Sequence, residues 1–81
     1  MGIRILIADD HKIVQEAVAS LLNNEIGMEV IANAQDGRAA VQLARELQPD
    51  VVVMDITMPN LNGIEAARQI THEQPNTKVV M

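Results

Sequence analysis

Three aspartates stand directly after apolar runs of the sequence, and side chains of this type can bind a cation or act as nucleophiles. Asp9 and Asp10 follow the run IRILIA, and Asp55 follows the run VVVM. A carboxylate beside an apolar core is costly unless it is paired or bound to a cation. Each aspartate therefore either caps a following helix, a position that Asp10 suits well, or belongs to a binding site.

The pattern around these aspartates predicts strands that alternate with helices. Short apolar runs indicate strands over residues 3–8, 28–34, 51–54 and 77–81, the second of them at a sheet edge. Apolar residues at helical spacing indicate helices over residues 10–24, between Asp36 and Pro49, and over 63–72. The inward faces are expected to carry Val14, Ala17, Val18, Leu21 and Leu22 in the first helix, and Ile64, Ala67 and Ile70 in the third. The order β-α-β-α-β-α-β predicts an α/β fold with a doubly wound parallel sheet.

In such a sheet the carboxyl ends of the strands form the ligand-binding edge, which would bring the three aspartates together. Three carboxylates about 4 Å apart repel one another by roughly 4 kcal/mol per pair at an effective dielectric constant near 20. A hard divalent cation removes that repulsion, and a purely oxygen ligand set suits Mg²⁺. The arrangement is typical of phosphoryl transfer, in which a carboxylate can itself accept the phosphoryl group.

These residues resemble the receiver domain of two-component response regulators, which has the flavodoxin-like fold. The resemblance lies in the acidic pair of IADDH, the strand VVVMD and the signature D-x-x-M-P-x-x-x-G that begins at Asp55. The runs ADDHKIVQEAVASLL and GIEAARQI are most similar to LuxR/NarL-type transcriptional regulators. The resemblance extends over the whole chain, so that residues 1–81 are expected to be the N-terminal part of a receiver domain.

The resemblance implies a role for each matching residue. Asp55 corresponds to the phosphoacceptor, and Asp9 and Asp10 correspond to the acidic pair that holds Mg²⁺, with Asp10 the direct ligand. Thr57 corresponds to the position whose backbone carbonyl contacts the metal and whose side chain tunes access to the phosphoryl group.

Pro59 and Gly63 correspond to the residues that shape the loop after the acceptor. The implied partner is a sensor histidine kinase, and the implied output is a DNA-binding effector domain that is absent from this chain. The implied protein is a bacterial, cytoplasmic transcription regulator and not an enzyme, beyond catalysing its own phosphorylation and dephosphorylation.

The sequence also departs from the family pattern. Receiver domains have five strands and five helices, with a Ser or Thr ending the fourth strand and a Lys ending the fifth. This chain ends at Met81, so it is expected to be truncated after the fourth strand and to switch abnormally. Lys78 stands at the start of the fourth strand, which is the wrong place to replace the missing lysine.

Composition sets further limits. The 81 residues suffice for one small domain, with 48% hydrophobic residues and neither aromatic residues nor cysteine. A net charge of −5 with scattered basic residues argues against direct nucleic-acid contact. No run is long enough to span a membrane.

Two alternatives remain open at this point. An exposed strand edge could pair two chains, giving a homodimer or swapped oligomer that works only as an association module. A phosphohydrolase with an aspartate nucleophile is disfavoured, because such enzymes usually carry a second carboxylate two residues later, where this chain has Thr57. His11 is interpreted as a surface residue rather than a ligand or a phosphorelay histidine, and His72 is given no function.

Overall fold

The chain folds into a parallel β-sheet whose strands are connected by helices. The computed structural model describes residues 2–81. In chain order the elements are β1 (Ile3–Ala8), α1 (Lys12–Asn23), β2 (Met28–Ala34), α2 (Gly37–Leu47), β3 (Val51–Met54), α3 (Gly63–Glu73) and β4 (Lys78–Val80). The predicted alternation of strands and helices is confirmed, and the first three strands have the predicted bounds.

The order of strands across the sheet is β2-β1-β3-β4, with every neighbouring pair parallel. This is the flavodoxin-like arrangement, and it places β2 at an edge as the sequence predicted. β1 lies directly beside β3, in a register that pairs Ile5 with Val51 and Ala8 with Met54. The strands that precede the three aspartates are therefore neighbours.

The main core lies between one face of the sheet and the helices α2 and α3. Alternate strand residues, among them Leu6 and Val52, are fully buried on that face. They pack against small or branched side chains of the two helices, namely Ala40, Val41, Ala44, Ala66 and Ile70. Ile5 and Ile7 alternate with them and are buried on the opposite face, and α1 packs on β1 and β2.

Three details of the predicted helices are wrong. Helix α1 begins at Lys12 rather than Asp10, because His11 at the N-cap is still extended, with φ −99° and ψ 105°. The apolar stripe of α1 does not form its buried face, since Gln15 is the buried residue of this helix while Leu21 is exposed. In α3, Ile64 is exposed, because the inward face is set instead by residues 66, 67 and 70.

The amino end of β3 is held on both sides by Asp50. Its backbone N–H donates to the Arg4 carbonyl at 2.9 Å, and its Oδ2 accepts from the Arg4 N–H at 2.8 Å. On the other side its carbonyl accepts from the Lys78 N–H at 3.0 Å. One residue thus connects β1, β3 and β4 at the end of the sheet that lies opposite to the three clustered aspartates.

Helices α2 and α3 are joined at their carboxyl ends by an ion pair. The Arg45 guanidinium donates from Nε and Nη2 to the two carboxylate oxygens of Glu73, at 3.1 and 2.9 Å. This bidentate contact lowers the pKa of the Glu73 carboxyl below its usual value. Because the two side chains are 60% and 36% exposed, this pair contributes little to stability.

Two further observations concern the surface. Within residues 2–81, no helix combines the length and the apolar character that crossing a membrane requires. Strand β4 lies at the second edge of the sheet with Lys78 and Val80 exposed. Pairing of two chains through such an edge stays a prediction.

Candidate functional site

The sheet register brings the aspartates of β1 and β3 to one point. Asp9 follows β1 directly, and its N–H donates to the Ala34 carbonyl of β2 at 3.0 Å. Asp55 follows β3, and its N–H donates to the Ala8 carbonyl at 2.8 Å. Both residues therefore continue the hydrogen bonding of the sheet by one residue, which fixes their Cα atoms relative to each other.

One cluster at the carboxyl ends of β1 and β3 contains Asp9, Asp10, His11 and Asp55. Each offers a ligand atom, and these four atoms all lie within 4.8 Å of one another. The three carboxylate side chains are 16%, 34% and 26% exposed in chain order, so they are open to solvent but recessed. The structure thus brings together the three aspartates that the sequence singled out.

His11 faces this cluster, although the sequence pointed only to a surface position. Its Nδ1 lies 2.8 Å from Asp9 Oδ1, 3.1 Å from Asp10 Oδ1 and 3.8 Å from Asp55 Oδ2. The hydrogen bond to Asp9, followed by the charges of Asp10, Asp9 and Asp55, raises the pKa of the imidazole above its usual value. The ring is 62% exposed, so the surface assignment describes its solvent contact but not its partners.

The donor set of the cluster fits Mg²⁺. Three carboxylates supply oxygen atoms, which are the ligands that this ion prefers, and their exposure leaves room for the waters that it retains. The same three oxygens would repel one another without a cation. A cation held by these carboxylates would neutralise negative charge that accumulates at one of them.

Gln15 fixes the loop that carries the acidic pair, and sequence analysis did not identify it. Its side chain is buried, and its Nε2 donates to the backbone carbonyl of Asp9 and, at 3.1 Å, to that of Ala34. The loop after β1 is thereby tied to both α1 and the end of β2. The sequence carries no signal for this role, because Gln15 lies outside the apolar stripe predicted for α1.

The loop between β3 and α3 is shaped by Gly63. Its N–H donates to the Ile56 carbonyl at 2.7 Å, and a Cβ atom at this position would lie 2.1 Å from the Asp55 carbonyl oxygen. A side chain is therefore excluded by the backbone of the site. Within the loop, Thr57 and Pro59 are exposed, and the Pro59 carbonyl accepts from the Leu61 N–H at 2.8 Å.

The same loop is tied to the start of α2. Asp36 caps this helix by accepting from the Ala39 N–H at 2.7 Å, and its second oxygen accepts from Asn60 Nδ2 at 2.8 Å. Asn60 has a left-handed backbone, with φ 69°, which asparagine tolerates better than most residues. The N–H of Ala39 and then the Asn60 amide hold the pKa of Asp36 below its usual value.

Comparison with known proteins gives one consistent match. The family model described as response regulator receiver domain matches residues 5–81. The transcriptional regulatory protein LnrK of Bacillus subtilis is 48% identical over 79 residues, which are 98% of this chain and 36% of that protein. The chain thus spans about a third of the length of this curated relative.

Solved structures agree with this match. A two-component response regulator of the LuxR family from Aurantimonas sp. is 40% identical with a TM-score of 0.91, over 98% of this chain and 56% of that one. The CheX-CheY-BeF3-Mg²⁺ complex from Borrelia burgdorferi contains a chain that is 29% identical with a TM-score of 0.83, over 95% of this chain and 58% of that one.

Proposed function

Because this chain belongs to the response regulator receiver domain family, we propose that it accepts a phosphoryl group on Asp55 from a phosphohistidine of a sensor histidine kinase. An Asp55 carboxylate oxygen attacks the phosphorus atom, and an O–P bond forms as the N–P bond breaks. The electron pair of the broken bond stays on the kinase imidazole, which takes up a proton. The product is an aspartyl-phosphate.

The observation that carries this proposal is the convergence of three carboxylates at the carboxyl ends of β1 and β3. Asp55 is anchored through its N–H to Ala8, so its carboxylate is directed by the strand register rather than by a flexible loop. At 26% exposure the side chain can be reached by a donor phosphoryl group. Such positioning supplies most of the catalysis in phosphoryl transfer.

Asp9, Asp10 and Asp55 would hold Mg²⁺, with Asp10 as the more exposed direct ligand. When bound, the ion neutralises the charge of the carboxylates and of the transferred phosphoryl oxygens. The CheY complex from Borrelia burgdorferi, whose name includes both Mg²⁺ and beryllofluoride, supports this proposal by its similarity to the present chain.

The loop after Asp55 would complete the site. We assign the Thr57 carbonyl to the cation and its exposed side chain to the control of access. Gly63 keeps the start of α3 close to the Asp55 carbonyl, and Pro59 limits the conformations of the loop between them.

The wider context of the domain also belongs to the proposal. The similarity to LnrK, a transcriptional regulatory protein nearly three times as long, suggests that the receiver acts on a DNA-binding effector domain. Phosphorylation would bias a two-state surface of the receiver that the effector contacts. The present chain itself would contact protein rather than DNA, as its net charge of −5 favours.

The test combines cation binding with phosphorylation. Mg²⁺ and then beryllofluoride, a stable phosphoryl mimic, are added to the chain while its amide signals are followed by two-dimensional NMR. Saturable shifts are expected at Asp9, Asp10 and residues 55–58.

In parallel, acetyl phosphate is supplied as a small phosphodonor, and the mass of the intact chain is measured. The added mass should depend on Mg²⁺, disappear in Asp55→Asn and persist in Glu46→Gln, which removes an exposed carboxylate of α2 away from the cluster. Neither saturable shifts nor added mass in the wild-type chain would refute the proposal.

A further inference from the structure

One asparagine of the chain stands directly before a glycine, in the pair Asn62-Gly63. Such a pair loses the side-chain amide spontaneously, because glycine has no Cβ to hinder attack by its own backbone nitrogen. The other five asparagines are followed by Asn, Glu, Ala, Leu and Thr, whose side chains hinder the same attack. Intrinsic reactivity therefore singles out Asn62.

The reaction converts the side-chain amide to an acid in two steps. The Gly63 backbone nitrogen gives its proton to a solvent base and attacks Cγ of Asn62. The new N–Cγ bond closes a five-membered succinimide ring, and the Cγ–Nδ2 bond breaks as ammonia leaves with a proton from solvent. Water then opens the ring at one of its two carbonyl groups. One product has aspartate at position 62, and the other has isoaspartate, whose main chain is longer by one atom.

The folded chain holds both reacting groups in other contacts. Asn62 is the N-cap of α3, and its Oδ1 accepts from the Glu65 N–H at 2.9 Å. The Gly63 N–H donates to the Ile56 carbonyl at 2.7 Å. Ring closure breaks both hydrogen bonds, since the nitrogen must lose its proton and the side chain must turn to it. Gly63 is also buried against the Asp55 carbonyl, which restricts rotation of its backbone.

The first turn of α3 is attached to the rest of the fold by few contacts. Between Met58 and Ala66 the one buried residue is Gly63, which has no side chain. Ile64 in this turn is 56% exposed. Segments with few buried apolar contacts open locally at a lower free energy than the whole domain unfolds. A single opening of this turn frees the Gly63 nitrogen and the Asn62 side chain together.

We propose that Asn62 is a site of spontaneous deamidation, and that docking of the first turn of α3 on the Asp55 carbonyl controls its rate. The two products differ in their effect. Aspartate is as good an N-cap as asparagine and leaves the main chain unchanged. Isoaspartate moves Gly63 by one main-chain atom, so that its hydrogen bond to Ile56 and its packing on Asp55 are not both kept. The inference stands apart from the proposed function, because no carboxylate of the cluster takes part.

The test incubates the full chain in mildly alkaline buffer, folded in sodium chloride and unfolded in the same concentration of guanidinium chloride. Peptide mapping by mass spectrometry separates aspartate from isoaspartate at position 62 and reads the other asparagines as internal controls. In parallel, hydrogen exchange of the Gly63 amide, followed by NMR, measures how often the first turn of α3 opens. Asn62→Gln is the matched control, since glutamine would need a six-membered ring, which closes far more slowly.

The expected result links the two measurements. In guanidinium chloride Asn62 should lose its amide faster than any other asparagine. In the folded chain this rate should be lower by at least about tenfold, which corresponds to an opening free energy of about 1.4 kcal/mol. The protection of the Gly63 amide against exchange should give the same factor. Asn62→Gln should show no conversion in the same period. The isolated isoaspartate form should unfold at a lower denaturant concentration than the wild type, and Asn62→Asp should not.

Several outcomes would overturn the inference. No conversion at Asn62 in guanidinium chloride would remove the site altogether. Equal rates at Asn62 in the folded and the unfolded chain would show that the fold does not control the reaction. A folded-state rate that does not follow the exchange of the Gly63 amide would exclude opening of α3 as the controlling step. An isoaspartate form as stable as Asn62→Asp would contradict the predicted effect on the loop.

Discussion

Replacing Gly63 by alanine should destabilise the chain by pushing α3 away from the candidate site. An alanine Cβ at this position would lie 2.1 Å from the Asp55 carbonyl oxygen and 2.8 Å from Ile56 Cα. Both are backbone atoms, so no side-chain rotation relieves the contact. Because the Gly63 N–H also donates to the Ile56 carbonyl, separating the two segments breaks that hydrogen bond.

The expected cost follows from these contacts. Overpacking of a tight position costs about 1–3 kcal/mol, and a lost hydrogen bond adds about 1 kcal/mol. The better helix propensity of alanine returns at most about 1 kcal/mol. A net loss of about 2 kcal/mol is large for 81 residues, since domains have roughly 0.05–0.15 kcal/mol of stability per residue.

Urea unfolding followed by far-ultraviolet circular dichroism measures this loss, since the chain has no tryptophan or tyrosine for fluorescence. Gly27→Ala is the control, because Gly27 has φ +85° but no atom within 4 Å of the added Cβ. It should cost only about 1–2 kcal/mol of backbone strain and leave Mg²⁺ binding unchanged. A Gly63→Ala chain with wild-type stability and wild-type Mg²⁺ affinity would refute this account of the loop.

Three further predictions test other contacts. Gln15→Leu should cost about 1–3 kcal/mol in urea unfolding and weaken Mg²⁺ binding, because the Asp9 carbonyl loses this donor and the Ala34 carbonyl keeps only the Asp9 N–H; unchanged Mg²⁺ affinity would show that Gln15 does not position the site. Since the pKa of Asp36 is lowered by folding, its charge should stabilise the wild type over Asp36→Asn at neutral pH. That advantage should vanish as the pH falls below about 4, and an advantage that grows in acid would contradict it. Glu73→Gln should lower the urea midpoint slightly at low salt and not at high salt, whereas a salt-independent loss would show that Arg45 contributes through packing instead.

The strands and the approach of the aspartates could be predicted because both depend on local pattern. Runs such as residues 51–54 are uninterrupted, bounded by polar residues, and too short for a helix. Parallel pairing then brings their carboxyl ends to one edge, so Asp9 and Asp55 become neighbours once β1 lies beside β3. Helix α2 could be predicted equally well, since Asp36 caps it as its residue type suggests.

The remaining features depend on contacts between distant residues, which local pattern does not contain. The start of α1 was missed because His11 turns its side chain to the aspartates rather than capping the helix. Gln15 appears in the sequence as a solvent-facing helix residue, and only the packing of α1 on the sheet buries it. The contact between Asn60 and Asp36 likewise joins two loops that are 24 positions apart.

The bridging of three strands by Asp50 has a consequence for how this fold can diverge. At the end of the sheet opposite to the chemistry, backbone groups and a single carboxylate add contacts that hold the register of β1, β3 and β4. The loops that carry Asp10, His11 and Thr57 therefore contribute little to specifying which strand lies beside which. Mutations that change ion preference or access of the phosphodonor can therefore accumulate in those loops without shifting the strands relative to one another. New specificities for ion or donor can then be selected at little cost in stability.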